Sequence, residues 1–192
     1  GGEPLLALDK LEYVYSFFKD TDIMLRIDIE TNGSLITEKI AKKLFDMDVR
    51  VGISLDGTRE HQDLQRRLVS GEASSELVKK GIKNLQKYYD NNLSGITVVT
   101  KYNYRDITEI INYFASELGL SRMKFNIVKD NPNAEEERIG LTIEEVKYFA
   151  NKLFDTVELY NLLGIEFYEG NIQTRVSNLT ERKMSSYCLS NG

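Results

Sequence analysis

Val49-Arg50-Val51-Gly52-Ile53-Ser54-Leu55-Asp56-Gly57 alternates branched aliphatic residues with polar or small ones and then stops at Asp-Gly. In an extended strand successive side chains face opposite sides, so Val49, Val51, Ile53 and Leu55 make one greasy face and Arg50, Gly52, Ser54 and Asp56 a polar one. The stretch Met24 to Glu30 repeats the pattern, with Leu25, Ile27 and Ile29 opposed to Arg26, Asp28 and Glu30. Between such strands lie helical periodicities. Leu8, Leu11, Val14 or Tyr15, and Phe18 keep one face of a helix from about Leu5 to Lys19, and a second helix is expected near Thr37 to Asp46. Val78, Ile82, Leu85 and Tyr89 mark a helix over Ser75 to Tyr89, followed by a strand near Ile96 to Thr100. Ile107 to Leu118 forms another helix ended by Gly119, before a strand near Arg122 to Val128. Thr142 and Glu145 form a capping box for a long last helix, which Gly164 ends before the short apolar run Ile165 to Tyr168.

Alternating strands and helices predict an α/β chain with a parallel sheet and helices packed outside it. A doubly wound sheet covered on both faces reads as continuous apolar strands, whereas a barrel with a roomy interior can carry polar residues inward. The strands therefore favour a barrel segment with parallel strands and outer helices. An open sheet with one solvated face is the alternative they allow.

Composition narrows the function. With 192 residues and 41% hydrophobic content, one domain is the default. A net charge of -5, with 25 Lys and Arg scattered among carboxylates, disfavours a nucleic-acid partner. No apolar run approaches a bilayer span and no signal-peptide pattern is present, so the chain reads as soluble and cytoplasmic, without a membrane partner. The one cysteine, Cys188, excludes an internal disulfide and any multi-cysteine metal site built from this chain alone. The acidic stretch Lys129 to Gly140, holding one of two prolines, is the expected mobile loop.

In β/α architectures ligands sit at the C-terminal ends of the strands, so the exit turns carry the chemistry. Here they are Glu30-Thr31-Asn32-Gly33, Ser54-Leu55-Asp56-Gly57 and Thr100-Lys101-Tyr102-Asn103. Asn-Gly and Asp-Gly alone are ordinary turn formers. The chain also opens on Gly1-Gly2-Glu3-Pro4, where two glycines allow close backbone approach, Pro4 suits a first helical turn, and the Glu3 carboxylate can receive an ammonium.

Gly1-Gly2-Glu3-Pro4-Leu5-Leu6, then Glu30-Thr31-Asn32-Gly33-Ser34-Leu35-Ile36, then Val51 to Gly57 with Asp63 and Arg66 following, resembles in order and spacing the radical S-adenosylmethionine enzymes. The closer likeness is to those with a C-terminal SPASM domain, which include anaerobic sulfatase maturases and peptide maturases. The resemblance implies part of a (β/α)6 TIM-like barrel that binds S-adenosylmethionine across its mouth. It also implies a 4Fe-4S cluster held by a Cys-x-x-x-Cys-x-x-Cys loop, and a 5'-deoxyadenosyl radical that takes hydrogen from a peptide or protein substrate. Residues 1–163 would be the core fragment, and 164–192 a linker and the start of a SPASM-like region.

By the same resemblance Gly1, Gly2 and Glu3 match the element that contacts the methionine amino group. Ser54 and Arg66 match positions near the ribose or carboxylate, and Asn32 lines the same cavity, while Asp56 and Gly57 fit a family turn. Cys188 stands where relatives place the first ligand of an auxiliary cluster, with a free thiol as the plainer reading. The family often has His-Asp where this chain has Gln62-Asp63, so His61, displaced by one, reads as a solvated helix-start residue rather than a base. The fifth strand of the barrel, Gly95 to Thr100, keeps aliphatic character without the spacing of other branches. The first strand and the three-cysteine loop would precede Gly1, and without them the fragment is expected to be inactive. Two other readings remain open. One is a noncatalytic nucleotide-binding or interaction fragment whose first strand edge pairs with a second copy. The other is a different barrel enzyme using Asp28, Glu30 and Asp56 as acid-base or metal-binding carboxylates.

Overall fold

The structure, a computed structural model, describes residues 2–89, 93–129 and 138–180. Glu3 caps a short 3-10 turn, Pro4–Ala7, that runs into α1 (Leu8–Phe18). There follow β1 (Ile27–Thr31), α2 (Glu38–Asp46), β2 (Val49–Ser54), α3 (Arg59–Gln65), α4 (Ser75–Gln86), β3 (Ser94–Val99) and α5 (Ile107–Asn112). After a wider helical turn, Tyr113–Glu117, come β4 (Arg122–Ile127), α6 (Ile143–Leu162), β5 (Tyr168–Glu169) and α7 (Gly170–Thr180).

All five strands are parallel and lie in the order β1-β2-β3-β4-β5. A doubly wound sheet reverses its strand order at a switch point. Here each strand adds beside its predecessor, so connections of one hand carry the helices to one side. That is barrel winding. Buried Ile29, Val51, Ile53, Val99, Met123 and Phe125 join Leu44, Ile82, Leu85, Ile110, Phe114 and Phe149 of the helices in one core. Asp28, Glu30, Arg50, Arg122, Lys124 and Asn126 are exposed on the other side. The greasy and polar faces read from the first two strands are thus the helix side and the open side of the sheet.

The sheet also continues past Gly164. β5 pairs with β4 at Arg122↔Tyr168 and Met123↔Glu169. Glu169 is fully buried, and its carboxylate accepts from the backbone N–H of Phe125 at 3.1 Å and of Ile172 at 2.7 Å, capping α7 onto β4. α3, of seven residues, shows in the sequence only as the helix start at His61, and β5 and α7, of two and eleven residues, do not show, because short or apolar-poor stretches carry too little periodicity. Residues 130–137 of the expected mobile loop, and 181–192 with Cys188, lie outside the described residues.

Close approach between layers depends on Gly81. A Cβ there would stand 2.2 Å from the Gly33 carbonyl oxygen, the turn after β1. Asn84, one helical turn later, donates to the Ile36 carbonyl at 2.8 Å, so α4 lies directly against this turn. Alanine is ordinarily the better helix former by about 1 kcal/mol. Here the obstruction is backbone, and Gly81→Ala is expected to lower stability by about 1–3 kcal/mol. That corresponds to a melting midpoint about 2–4 °C lower per kcal/mol. A raised midpoint in thermal unfolding would contradict the packing.

At α6 the capping box is complete, with Glu145 accepting from Thr142 N–H and Thr142 Oγ1 at 2.9 and 3.0 Å, and Tyr104 donating at 2.9 Å. The Thr142 backbone N–H above all, then the Tyr104 hydroxyl, holds the Glu145 carboxyl below its ordinary value. A depressed carboxyl stabilises the fold above its unfolded-state pKa, and the contribution is lost as pH falls through the folded value. The stability difference between the parent and Glu145→Gln, measured by denaturant unfolding, is therefore expected at neutral pH and to shrink on acidification below about pH 4.

Candidate functional site

Glu3 reaches across from the chain start to the exit of β1. Its Oε1 accepts from Thr31 Oγ1 at 2.6 Å and from Leu5 N–H at 3.2 Å, and its Oε2 accepts from Asn32 N–H at 2.9 Å. A carboxylate offers about four lone-pair directions, so one remains open, on Oε2. Thr31, 1% exposed, accepts in turn from Gly33 N–H at 3.1 Å. Asn32 Oδ1 accepts from the N–H and hydroxyl of Ser34 at 2.9 and 2.7 Å, leaving the amide Nδ2 with no protein partner among the described residues. Gly2 has φ +110° and open space where a side chain would stand, so a ligand can meet bare backbone there. Gly1 lies outside the described residues.

The register Thr31↔Ile53 carries Asn32 to the level of Ser54, and Ser54 in turn pairs with Ile96. The Ser54 hydroxyl, half-buried at the end of β2, makes no hydrogen bond among the described residues. Two residues on, Asp56 is 4% exposed. It takes Arg66 side-on, from Nε at 2.6 Å and Nη2 at 3.3 Å, and accepts from Val98 N–H of β3 at 3.0 Å. Asn103, buried at the third exit, donates to the carbonyls of Asp56 and Val98 at 2.8 and 2.9 Å. One side-chain amide thus ties two exits together.

Arg66 lines a cleft of about 470 Å³ at the C-terminal ends of β2 and β3, with Asp56, Gln65, Val98, Thr100, Tyr102 and Ile139. Glu3, Asn32 and Ser54 are not among its walls. The expected residues therefore form two groups, Glu3 bonded to Asn32 at β1, and Arg66 bonded to Asp56 at the cleft, with Ser54 on the strand between. In the cleft wall Gln65 Oε1 accepts from Thr100 Oγ1 at 2.6 Å, while its Nε2 is buried without a partner among the described residues. Such an orphan donor is costly. A second cleft, of about 800 Å³, opens along the polar face toward the strand N-termini, lined by Arg26, Asp28, Glu30, Arg50 and Arg122 among others. Parallel β/α sheets place ligands at the opposite ends, and of the expected residues only Asp28 and Glu30 of the alternative barrel reading line it, so the smaller cleft is the candidate site.

Gln62 takes over a structural duty. It is 3% exposed, accepts from Asp56 N–H at 2.9 Å and donates to Ser74 Oγ at 3.3 Å. Asp63 accepts from the N–H groups of Ser74 and Ser75 at 3.0 and 2.9 Å, holding the start of α4. His61 is not solvated as expected. Its side chain is 13% exposed, with Nδ1 2.9 Å from Thr58 Oγ1 and Nε2 3.1 Å from Asp106 Oδ2. Gly57, with φ +142°, turns the chain back so that His61 packs on it, which the one-residue displacement in sequence did not reveal.

The three carboxylates of the other barrel reading do not meet, because Asp28 and Glu30 line the larger cleft and Asp56 the smaller one. Asp28 is paired with Arg26 at 2.6 and 3.1 Å on the open face and Asp56 with Arg66 at the cleft. Among the described residues no group of three His, Cys, Asp or Glu could hold a metal ion, and no helix is long and apolar enough to cross a membrane. Sequence reading missed Gln65, and it placed Thr100 and Asn103 on the third exit without the hydrogen bonds that tie them to Gln65 and Asp56. Only the ten-residue separation of Asp56 and Arg66 across a turn and a helix hinted at their pairing.

Comparison with known proteins agrees with the fold. The family model described as the Radical SAM superfamily matches residues 1–114. An uncharacterized protein of Methanocaldococcus jannaschii is 32% identical, over 100% of this chain and 60% of its own length. A cysteine-type anaerobic sulfatase-maturating enzyme of Clostridium novyi is 33% identical, over 81% of this chain and 42% of its own. The chain thus spans about half the length of the curated relatives it matches. The solved structure of native anSMEcpe with bound AdoMet superposes with a TM-score of 0.88 at 26% identity, covering 97% of this chain and 52% of that one. The same protein with bound AdoMet and Cp18Cys peptide gives 0.88, 26%, 97% and 53%.

If Glu3 ties the chain start to β1 as described, Glu3→Ala is expected to speed hydrogen exchange at the Leu5 and Asn32 amides about ten- to hundredfold, the worth of a bond to a charged acceptor. Exchange at Val51 and Ile53 should not change. Equal acceleration at all four amides would show a global effect instead.

Proposed function

This chain belongs to the radical SAM superfamily, and on that premise we propose that it forms the S-adenosylmethionine-binding part of a SPASM-type enzyme acting on a peptide or protein. One observation carries the reading. Glu3 of the opening Gly-Gly-Glu-Pro is hydrogen-bonded to the side chain of Thr31 and the backbone of Asn32, joining two motifs 28 residues apart at the ligand-bearing edge of the sheet.

The residues fit the ligand's chemistry. The open lone pair of Glu3 Oε2 suits the methionine ammonium, and bare backbone at Gly2 lets that end approach. The Ser54 hydroxyl and the Asn32 amide suit ribose or carboxylate oxygens at the next exit. Arg66 supplies the guanidinium edge for an anionic or hydroxyl oxygen. The orphan Gln65 Nε2 beside the cleft is a further unmet donor. In the family the bound S-adenosylmethionine and its 4Fe-4S cluster supply a 5'-deoxyadenosyl radical that takes a hydrogen atom from the substrate. This chain's residues do not fit that cluster, having one cysteine, Cys188, outside the described residues. The 192 residues alone are therefore proposed to be inactive. By the same resemblance Cys188 is proposed as a ligand of an auxiliary cluster in the complete gene product.

A peptide or protein substrate is supported by the sulfatase-maturating relatives and by the peptide in the anSMEcpe structure. Among the described residues β1 pairs with β2 alone, so its other edge is where a second copy would add if the chain were an interaction fragment.

The test is calorimetric binding of S-adenosylmethionine to the complete gene product with its cluster reconstituted. Glu3→Ala and Arg66→Ala are each expected to weaken binding about tenfold, the effect of roughly 1.4 kcal/mol. Unchanged affinity in both variants removes the site assignment.

A further inference from the structure

An Asp-Gly turn needs its aspartate only at the surface, yet Asp56 is 4% exposed and its carboxylate receives three donors, Arg66 Nε, Arg66 Nη2 and Val98 N–H. Its backbone is also committed, the N–H donating to Gln62 Oε1 at 2.9 Å and the carbonyl accepting from Asn103 Nδ2 at 2.8 Å. Arg66 differs. Its Nη1 has no protein partner among the described residues, its side chain is 31% exposed, and it lines the cleft. A guanidinium is a rigid planar fork, so fixing Nε and Nη2 also fixes the direction of Nη1.

The ion pair is not needed to hold α3 in place. Gln62 already ties that helix to the Asp56 backbone and to Ser74, and Asp63 fastens it to the start of α4 through three hydrogen bonds from Ser74 and Ser75. What the Asp56 carboxylate adds is the orientation of one side chain.

We infer that Asp56 is a positioning residue for ligand binding, its buried carboxylate holding the Arg66 guanidinium side-on so that the Nη1 edge is presented to the cleft. The inference rests on the S-adenosylmethionine reading above and deepens it. Asp56 touches no ligand in this account and acts through Arg66. The link to Val98 N–H makes the orientation depend on β3 as well as on the β2 turn.

The experiment is a double-mutant cycle on S-adenosylmethionine binding, read by calorimetry with the complete gene product. Asp56→Asn keeps the side chain's shape and an acceptor for Val98 while removing the charge. It is expected to weaken binding about tenfold with Arg66 present and less than twofold in the Arg66→Ala background. Equal losses in the two backgrounds overturn the inference. If Asp56→Asn does not fold, Asp56→Glu, which moves the charge by one methylene, takes its place with the same two outcomes. A ligand-free readout separates this from the reading beneath it. The Arg66 Nε–H resonance, identified by its loss in Arg66→Lys, is expected to be sharp in the parent and broadened in Asp56→Asn. A resonance unchanged by Asp56→Asn overturns the inference, whereas absence of any binding by the parent counts against the proposed function alone.

Discussion

Among the described residues the sheet is covered on one side only, and the placement of the site follows from that constraint. The odd-numbered strand residues Ile29, Val51, Ile53, Thr97, Val99, Met123, Phe125 and Glu169 are buried beneath the helices, and Ile127 at the end of β4 is the exposed exception. Even-numbered residues, from Asp28 to Asn126, stay on the open side. All five strands keep this phase because each connection begins and ends on the same side, and a one-residue slip in any strand would turn its aliphatics outward. Burial of the odd set provides the driving force for folding. The even set is thereby freed from packing, and it holds Ser54 and the charged residues of the interior.

From the same constraint comes the place of the site. With the helices to one side, each exit turn climbs over the C-terminal edge of its strand, and consecutive exits become neighbours because the strands are neighbours. Glu3, Thr31 and Asn32 meet at the first exit, Ser54 and Asp56 at the second, and Val98, Thr100 and Asn103 at the third. The hydrogen bonds that cross between exits use buried groups, Asp56 and Asn103 above all. Those bonds stand in a low-dielectric setting where a missing partner is expensive, so the edge is stiff before any ligand arrives.

How much of this was legible in the sequence depends on whether the cause was periodic. The faces of β1 and β2 were, since Ile27, Ile29, Val51 and Ile53 repeat every second residue. The barrel sense was legible for the same reason, and the chain order of the strands bears it out. The start of α6 was legible because a capping box is a local pattern. Local patterns fail for bonds set by tertiary approach. Nothing in Gly-Gly-Glu-Pro says that Glu3 would spend three of its acceptor directions on Thr31, Asn32 and Leu5, leaving one for a ligand. Likewise Gln62 was read as a departure from His-Asp, whereas its amide closes the Asp56 turn. His61 was read as solvated because a displaced histidine shows no partner until Asp106 arrives from the next exit.

The Asp56–Arg66 pair shows why a buried charge pair at such an edge asks for an explanation beyond stability. Removing two charges from water costs several kcal/mol each, and replacing a buried pair by well-packed apolar groups is often neutral or stabilising. The pair here is unevenly buried, with Asp56 at 6% side-chain exposure and Arg66 at 31%, so the desolvation falls mainly on the carboxylate. That carboxylate recovers part of the cost from Val98 N–H and part from the guanidinium. Arg66, still partly in water, keeps donors to spare on the side of the cleft. An arrangement that desolvates the acceptor and leaves the donor's outer edge wet is poorly suited to holding a fold together. It is well suited to presenting a cationic edge in one fixed direction.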